Sequence, residues 1–147
     1  MSTNGQQRPR VVLVNRCFVI NNRGEILIIR RREADIINPG LWEVPGGKLD
    51  EGQDLTRALE REVMEETGLL IEPTHRLVYA DSQVLGPGKY SGMPYMALFS
   101  VGRVVGGELK LSEEHTEVRW ARPHESLGLD LTPETRKALI VLAEHLE

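Results

Sequence analysis

Glu62, Glu65 and Glu66 place three carboxylates within five residues, directly after a glycine-bearing stretch that runs Gly46-Gly47-Lys48-Leu49-Asp50-Glu51-Gly52-Gln53. On a helix turning about 100° per residue the three fall within an arc of roughly 100°. Leu55, Leu59 and Val63 form an apolar row at i, i+4 spacing beside them, so one edge can pack while its neighbour collects negative charge. The simpler reading of an acidic helix is a solvated face, with Arg61 and Glu65 as an ordinary i, i+4 pair. Against that reading, three like charges sit in the C-terminal half of the helix, where the macrodipole also disfavours them. Cations would offset that cost. Oxygen donors without His or Cys select hard ions, Mg²⁺ first and Mn²⁺ as the alternative, rather than zinc.

The elements that must hold these residues can be read from pattern. The spacing predicts a helix from about Asp54 to Thr67, ended by Gly68 in the place a left-handed C-terminal cap prefers. Val11 to Ile20 is rich in branched aliphatics and reads as a strand. Asn21-Asn22-Arg23-Gly24 supplies a turn and Glu25 to Ile29 a returning strand, which together make a hairpin. Asn38-Pro39-Gly40 marks a loop before the short strand Leu41 to Val44, which Pro45-Gly46-Gly47 ends sharply. Leu69 to Val84 holds one long or two short strands interrupted near Pro73, Tyr95 to Val105 another, and Val118 to Ala121 a last one. Thr132-Pro133-Glu134 is a helix start, with a capping hydroxyl, proline at the first position and an acid in the first turn. The mixture predicts one α/β domain, a mixed sheet covered by helices, over residues 10–147, with residues 1–9 as a frayed polar tail.

Composition narrows the partners. With 22 acidic and 18 basic residues the net charge is -4, which argues against binding nucleic acid polymers or anionic membranes by bulk electrostatics. An anionic substrate must then be met by local positive charge or metal. No run approaches the roughly 20 apolar residues of a membrane span. The start lacks a signal peptide's apolar segment, and the single Cys17 cannot form an internal disulfide, so the expected setting is cytoplasmic. Edge strands on a small mixed sheet allow a homodimer.

The glycine stretch and its helix resemble the Nudix box: Gly, five residues, Glu, seven residues, then Arg-Glu-aliphatic-x-Glu-Glu-x-Gly-aliphatic. Gly47, Arg61, Glu62, Val63, Glu65, Glu66, Gly68 and Leu69 match in register, and Trp42-Glu43-Val44-Pro45-Gly46 looks like the strand and turn that usually enter the box. One position departs, since Gln53 stands where the pattern asks for Glu, and an amide is a poorer Mg²⁺ ligand than a carboxylate. The resemblance implies an α/β/α sandwich and a MutT-like pyrophosphohydrolase that cleaves a nucleoside diphosphate linked to another group. Divalent metals would neutralise the phosphate oxygens and lower the pKa of bound water. It also implies Glu62, Glu65 and Glu66 as metal ligands, the Gly46 carbonyl as a further oxygen, and Arg61 as the residue that orients a glutamate. The alternative is a catalytically weak nucleotide-binding or sensor domain, with Gln53 as its support.

Many relatives add a glutamate from a loop outside the box as base or ligand. Glu114 is favoured here over Glu113 and Glu117, because a Glu-His pair followed by a Trp-bearing strand recurs among them; the bland reading makes all three surface acids. His115 could act as a base, although a structural histidine is the commoner case. Among Arg30, Arg31 and Arg32, Arg30 is favoured to clamp phosphate. Trp42, Tyr90 and Tyr95 are stacking candidates, with Trp42 and Tyr95 equally readable as core. Tyr90 lies between Gly88 and Gly92, as a substrate lid would. Pro87 and Tyr90 lie near positions that mark ADP-ribose and diadenosine polyphosphate branches. The Trp42 to Gly47 approach fits equally well the enzymes that clean up nucleoside triphosphates, modified ones included, and nucleotide sugars complete the range.

Overall fold

The computed structural model describes residues 10–146, so the expected tail at 1–9 lies outside the described residues. Strand β1 (Val12–Ile20) is the centre of a seven-stranded mixed sheet. It runs parallel to β6 (Pro94–Gly107), with Val12 opposite Tyr95 and Ile20 opposite Arg103. A strand with parallel pairing and both faces covered should read as a nearly continuous apolar run, and β1 does except at Asn15 and Arg16. Alternate residues go to opposite sides, Val14 and Phe18 to one core, Cys17 and Val19 to the other. The first core is closed by Ala138, Leu139 and Leu142 of α3 (Pro133–Leu146), the second by Leu59 and Val63 of α1 (Leu55–Thr67). The result is a sheet between helices, as expected. Leu55, at the first turn of α1, stays exposed rather than joining the apolar row.

The hairpin forms, but it is short. β1 and β2 (Ile26–Arg31) share register at Ile20 and Ile26, and beyond that pair the strands find different partners. β2 pairs with β3 (Trp42–Glu43) and with β7 (His115–Ala121), while β1 pairs with β4 (Gly46–Lys48). The fork between β1 and β2 is thus bridged by β3 and β4, and the residues just after Pro45 are strand rather than the end of one. Gly46 is required there: an added Cβ would collide with the Asn15 carbonyl of β1. β5 (Leu69–Val84) is one long edge strand, with its register against β6 slipping between Pro73 and Leu77 where Pro73 supplies no N–H. A four-residue helix, α2 (Pro123–Ser126), lies between β7 and α3, where no element was expected.

Candidate active site

Helix α1 is fixed at both ends by local chemistry. Asp54 caps its start, accepting from the Arg57 N–H at 2.9 Å. Gly68 ends it at φ 76°, in the left-handed region, where any side chain would also strike the Glu108 carbonyl. The carbonyls left open by the last turn are taken by the chain that follows β6: Glu108 N–H donates to Gly68, Lys110 to Thr67 and Ser112 to Glu66, at 3.2, 2.8 and 3.1 Å. These three bonds hang the segment carrying Glu114 on the end of the glutamate helix. The Arg32 N–H donates to the Glu114 carbonyl at 3.1 Å and joins that segment to the end of β2.

The box glutamates differ in environment. Glu66 is buried, with its Oε1 accepting from the Gly46 N–H at 3.3 Å. Burial pushes its carboxyl up to about 8; nearby Glu43 and Glu62 add to the rise, and Arg16 opposes it. Glu62 faces Gly47 so closely that an added Cβ would lie 2.8 Å from its Oε2, so the glycine leaves room for a carboxylate. Its pKa is also raised, by partial burial first and then by Glu65 and Glu114. Glu114 therefore belongs to the same electrostatic cluster as the helix glutamates. Glu65 is more exposed and pairs with Arg61 at 3.4 Å; Arg61 also reaches Glu62 at 3.6 Å. Gln53 turns its Oε1 to the Asp50 N–H at 2.8 Å, so its amide oxygen is engaged in the turn of its own loop.

Beside this cluster opens a cleft of about 330 Å³, whose wall includes Arg16, Arg31, Lys48, Tyr95, Glu114 and Glu134. Under it lies a network that the sequence reading did not find. Glu43 is 3% exposed and is met by Arg16 at 3.5 Å, Arg31 at 3.0 Å and His115 Nε2 at 2.9 Å. His115 is thus a buried partner of Glu43. Arg16 also meets Glu134 at 3.4 Å, and Tyr95 donates to Glu134 at 2.7 Å. Burial alone would raise the Glu43 carboxyl, but Arg16, His115 and Arg31 outweigh it and hold it down at about 2. The available signal was Arg16 itself, a charged residue inside an aliphatic strand.

A carboxyl whose pKa is depressed by folding contributes stability above its ordinary value and loses it as pH falls toward the folded one. Between pH 4.5 and 2 the Glu43 contribution should therefore disappear, on the order of 3 kcal/mol. Denaturant titrations across that range test this: wild type should weaken more steeply with acid than Glu43→Gln, and parallel curves would refute it.

Two substrate candidates are corrected. Arg30 does not line the cleft; its Nε donates to the Gly40 carbonyl at 2.8 Å and its guanidinium meets Glu33 and Glu117, while Arg31 and Arg32 line the cleft. A register shift between Arg30 and Arg31 in the pairing with β7 accompanies this division. Trp42 is 6% exposed within the core that α3 closes, with Arg119 over its ring at 5.5 Å, so it cannot stack on a ligand. Tyr90 lies beyond the cleft wall, with the ammonium groups of Lys48 and Lys89 near its ring.

Among the described residues no three His, Cys, Asp or Glu side chains form a ready metal cage. The donor set nevertheless fits a hard dication: its acids are oxygen donors, Gly47 leaves a gap facing Glu62, and the like charges of Glu62, Glu65 and Glu114 lie together.

Comparison with known proteins agrees with this layout. The NUDIX domain family model matches residues 10–142. The chain is 27% identical over 128 residues to the Escherichia coli nucleoside triphosphatase NudI, which covers 84% of this chain and 91% of that protein. It superposes on a MutT protein from Methanosarcina mazei Go1 with a TM-score of 0.77 and 28% identity, over 97% of this chain and 100% of the other. A MutT NUDIX hydrolase from Burkholderia pseudomallei gives 0.71 and 27%, over 92% and 99%.

Proposed function

From the fact that this chain belongs to the Nudix hydrolase family, we propose that it is a pyrophosphohydrolase of nucleoside triphosphates, modified ones included, dependent on Mg²⁺ or Mn²⁺. The observation that carries this is the placement of Glu62 and Glu66 against Gly46 and Gly47, at the edge of a cleft walled by Arg16, Arg31 and Lys48. The triphosphate preference is supported by the names of similar proteins, a nucleoside triphosphatase and MutT proteins.

Glu62, Glu65, Glu66, Glu114 and the Gly46 carbonyl would hold the cation. When bound, it supplies charge neutralisation at phosphoryl oxygens and a lower pKa for water. The protein's own part is positional. Arg61 steadies Glu65 and Glu62, Gly46 N–H fixes the Glu66 carboxyl, and the bonds from the 108–112 segment to α1 keep Glu114 near Glu62. Arg31 and Lys48 offer positive charge to the phosphates in a chain whose net charge is negative.

Gln53 uses its amide oxygen in the turn of its own loop, and the carboxylates Glu62, Glu65, Glu66 and Glu114 that the enzyme reading needs are all present. No helix among the described residues is long and apolar enough to cross a membrane. The enzyme would act in the cytoplasm on small-molecule partners. Phosphate or pyrophosphate release with Mg²⁺ should be highest for one or more nucleoside triphosphates, in a panel that also holds ADP-ribose, nucleotide sugars and diadenosine polyphosphates. Turnover confined to another class would replace the substrate assignment, and metal-bound protein inactive on every class would favour the sensor.

A further inference from the structure

We propose that Lys48, Lys89 and Tyr90 form a subsite for the terminal phosphoryl group of a polyphosphate chain, separate from the glutamate cluster. The inference rests on the reading of the substrate as a nucleoside triphosphate and assigns the part of the site that measures chain length.

The two ammonium groups lie 5.7 and 5.3 Å from the centroid of the Tyr90 ring. Among the described residues neither has a carboxylate partner within ion-pair distance. In a chain of net charge -4, two exposed ammonium groups on one ring are a local concentration of positive charge, and a cation–π contact at an exposed site contributes only about 0.5–1 kcal/mol each. A polyanion reached by both ammonium groups would draw on that charge. The ring is held in place by a loop closed on itself: Leu85 N–H donates to the Met93 carbonyl at 2.8 Å, Gly92 N–H to Leu85 at 2.9 Å, and Met93 N–H to Tyr90 at 3.0 Å.

Position connects the cations to the reaction. Lys48 directly follows Gly47, the glycine that faces Glu62, and lines both the main cleft and a second cavity of about 220 Å³ that includes Lys89 and Tyr90. Ile37 and Leu85 are also shared between the two cavities, so the cavities adjoin. A phosphate chain with its scissile bond at the glutamates can extend past Lys48 toward Lys89. The occupied π system argues for phosphate rather than a stacked base, since a base would have to displace the ammonium groups. Tyr90, expected to stack on substrate, acts here as the support that keeps the two lysines together.

Isothermal titration of the full chain in metal-free buffer with inorganic tripolyphosphate and pyrophosphate tests the subsite without requiring turnover. Tripolyphosphate should bind about fivefold more tightly than pyrophosphate, as expected of one additional solvent-exposed charge contact. Lys89→Gln should remove that advantage and leave pyrophosphate binding unchanged, Lys89→Arg should keep it, and Tyr90→Leu should reduce it. Equal affinity for the two anions in wild type, or a Lys89→Gln loss that is the same for both, overturns the proposal. Steady-state kinetics adds a second readout: Lys89→Gln should raise KM for a nucleoside triphosphate about fivefold more than for the diphosphate, with kcat little changed. Chain-length-selective binding in a protein that hydrolyses no triphosphate would refute the substrate reading and leave the subsite standing.

Discussion

Glu66→Gln is expected to lower kcat by about 10³-fold or more while the protein stays folded. A glutamine retains the shape of the side chain and an oxygen that can still accept from the Gly46 N–H, so the packing around α1 has little reason to change. What it removes is the negative charge that a hard dication needs, and metal-derived stabilisation of a phosphoryl transition state is worth several kcal/mol, with each factor of ten in rate equal to about 1.4 kcal/mol. Glu62→Gln should be as severe, because that carboxylate faces the Gly47 gap and is coupled to Glu65 and Glu114. Glu65→Gln should cost less, since Glu65 is the exposed member and is already paired with Arg61. Mn²⁺ binding followed by electron paramagnetic resonance, beside turnover and thermal melting, separates loss of metal from loss of fold. A folded Glu66→Gln protein with turnover within tenfold of wild type would defeat the metal assignment.

That ranking among glutamates was not available from sequence, although the cluster itself was. Helical periodicity placed Glu62, Glu65 and Glu66 on one arc, and Gly68 and Asp54 bounded the helix correctly, because capping and periodicity are local effects. Burial of Glu66 and exposure of Glu65 depend on where α1 meets β4, a contact between segments that pattern alone does not relate. The same limit explains Arg30. Three consecutive arginines at a strand end look equivalent, but the strand's alternation separates Arg30 from Arg31, and Arg32 lies just past the end of β2, so Arg31 and Arg32 line the cleft while Arg30 meets Gly40. Trp42 shows the converse, a residue that could have served either core or ligand and is committed to core by its pairing with Arg30 of β2 and by the bonds of its backbone to Asp130 and Thr132. Glu114 was found through resemblance, but the reason it reaches Glu62 is the capping of α1 by residues 108–112.

Glu43→Ala carries the second large expectation, and it concerns stability. Glu43 is the shared partner of Arg16, Arg31 and His115, with its side chain 3% exposed and that of Arg16 13%. Removing one member of a buried ion pair leaves the other charge uncompensated, at a cost of about 3–5 kcal/mol. For a chain of this length that corresponds to a fall in Tm of about 10 °C. Arg16 retains Glu134 at 3.4 Å, which limits the damage, and Arg31 retains Asp35 at 3.2 Å. Arg16→Met in the Glu43→Ala background removes the stranded guanidinium, so the double variant should be more stable than the two single losses predict in sum. Additive losses would mean that Arg16 and Glu43 do not depend on each other. In that case the cleft wall would owe its shape to the apolar cores on either side of β1 rather than to the charges between them.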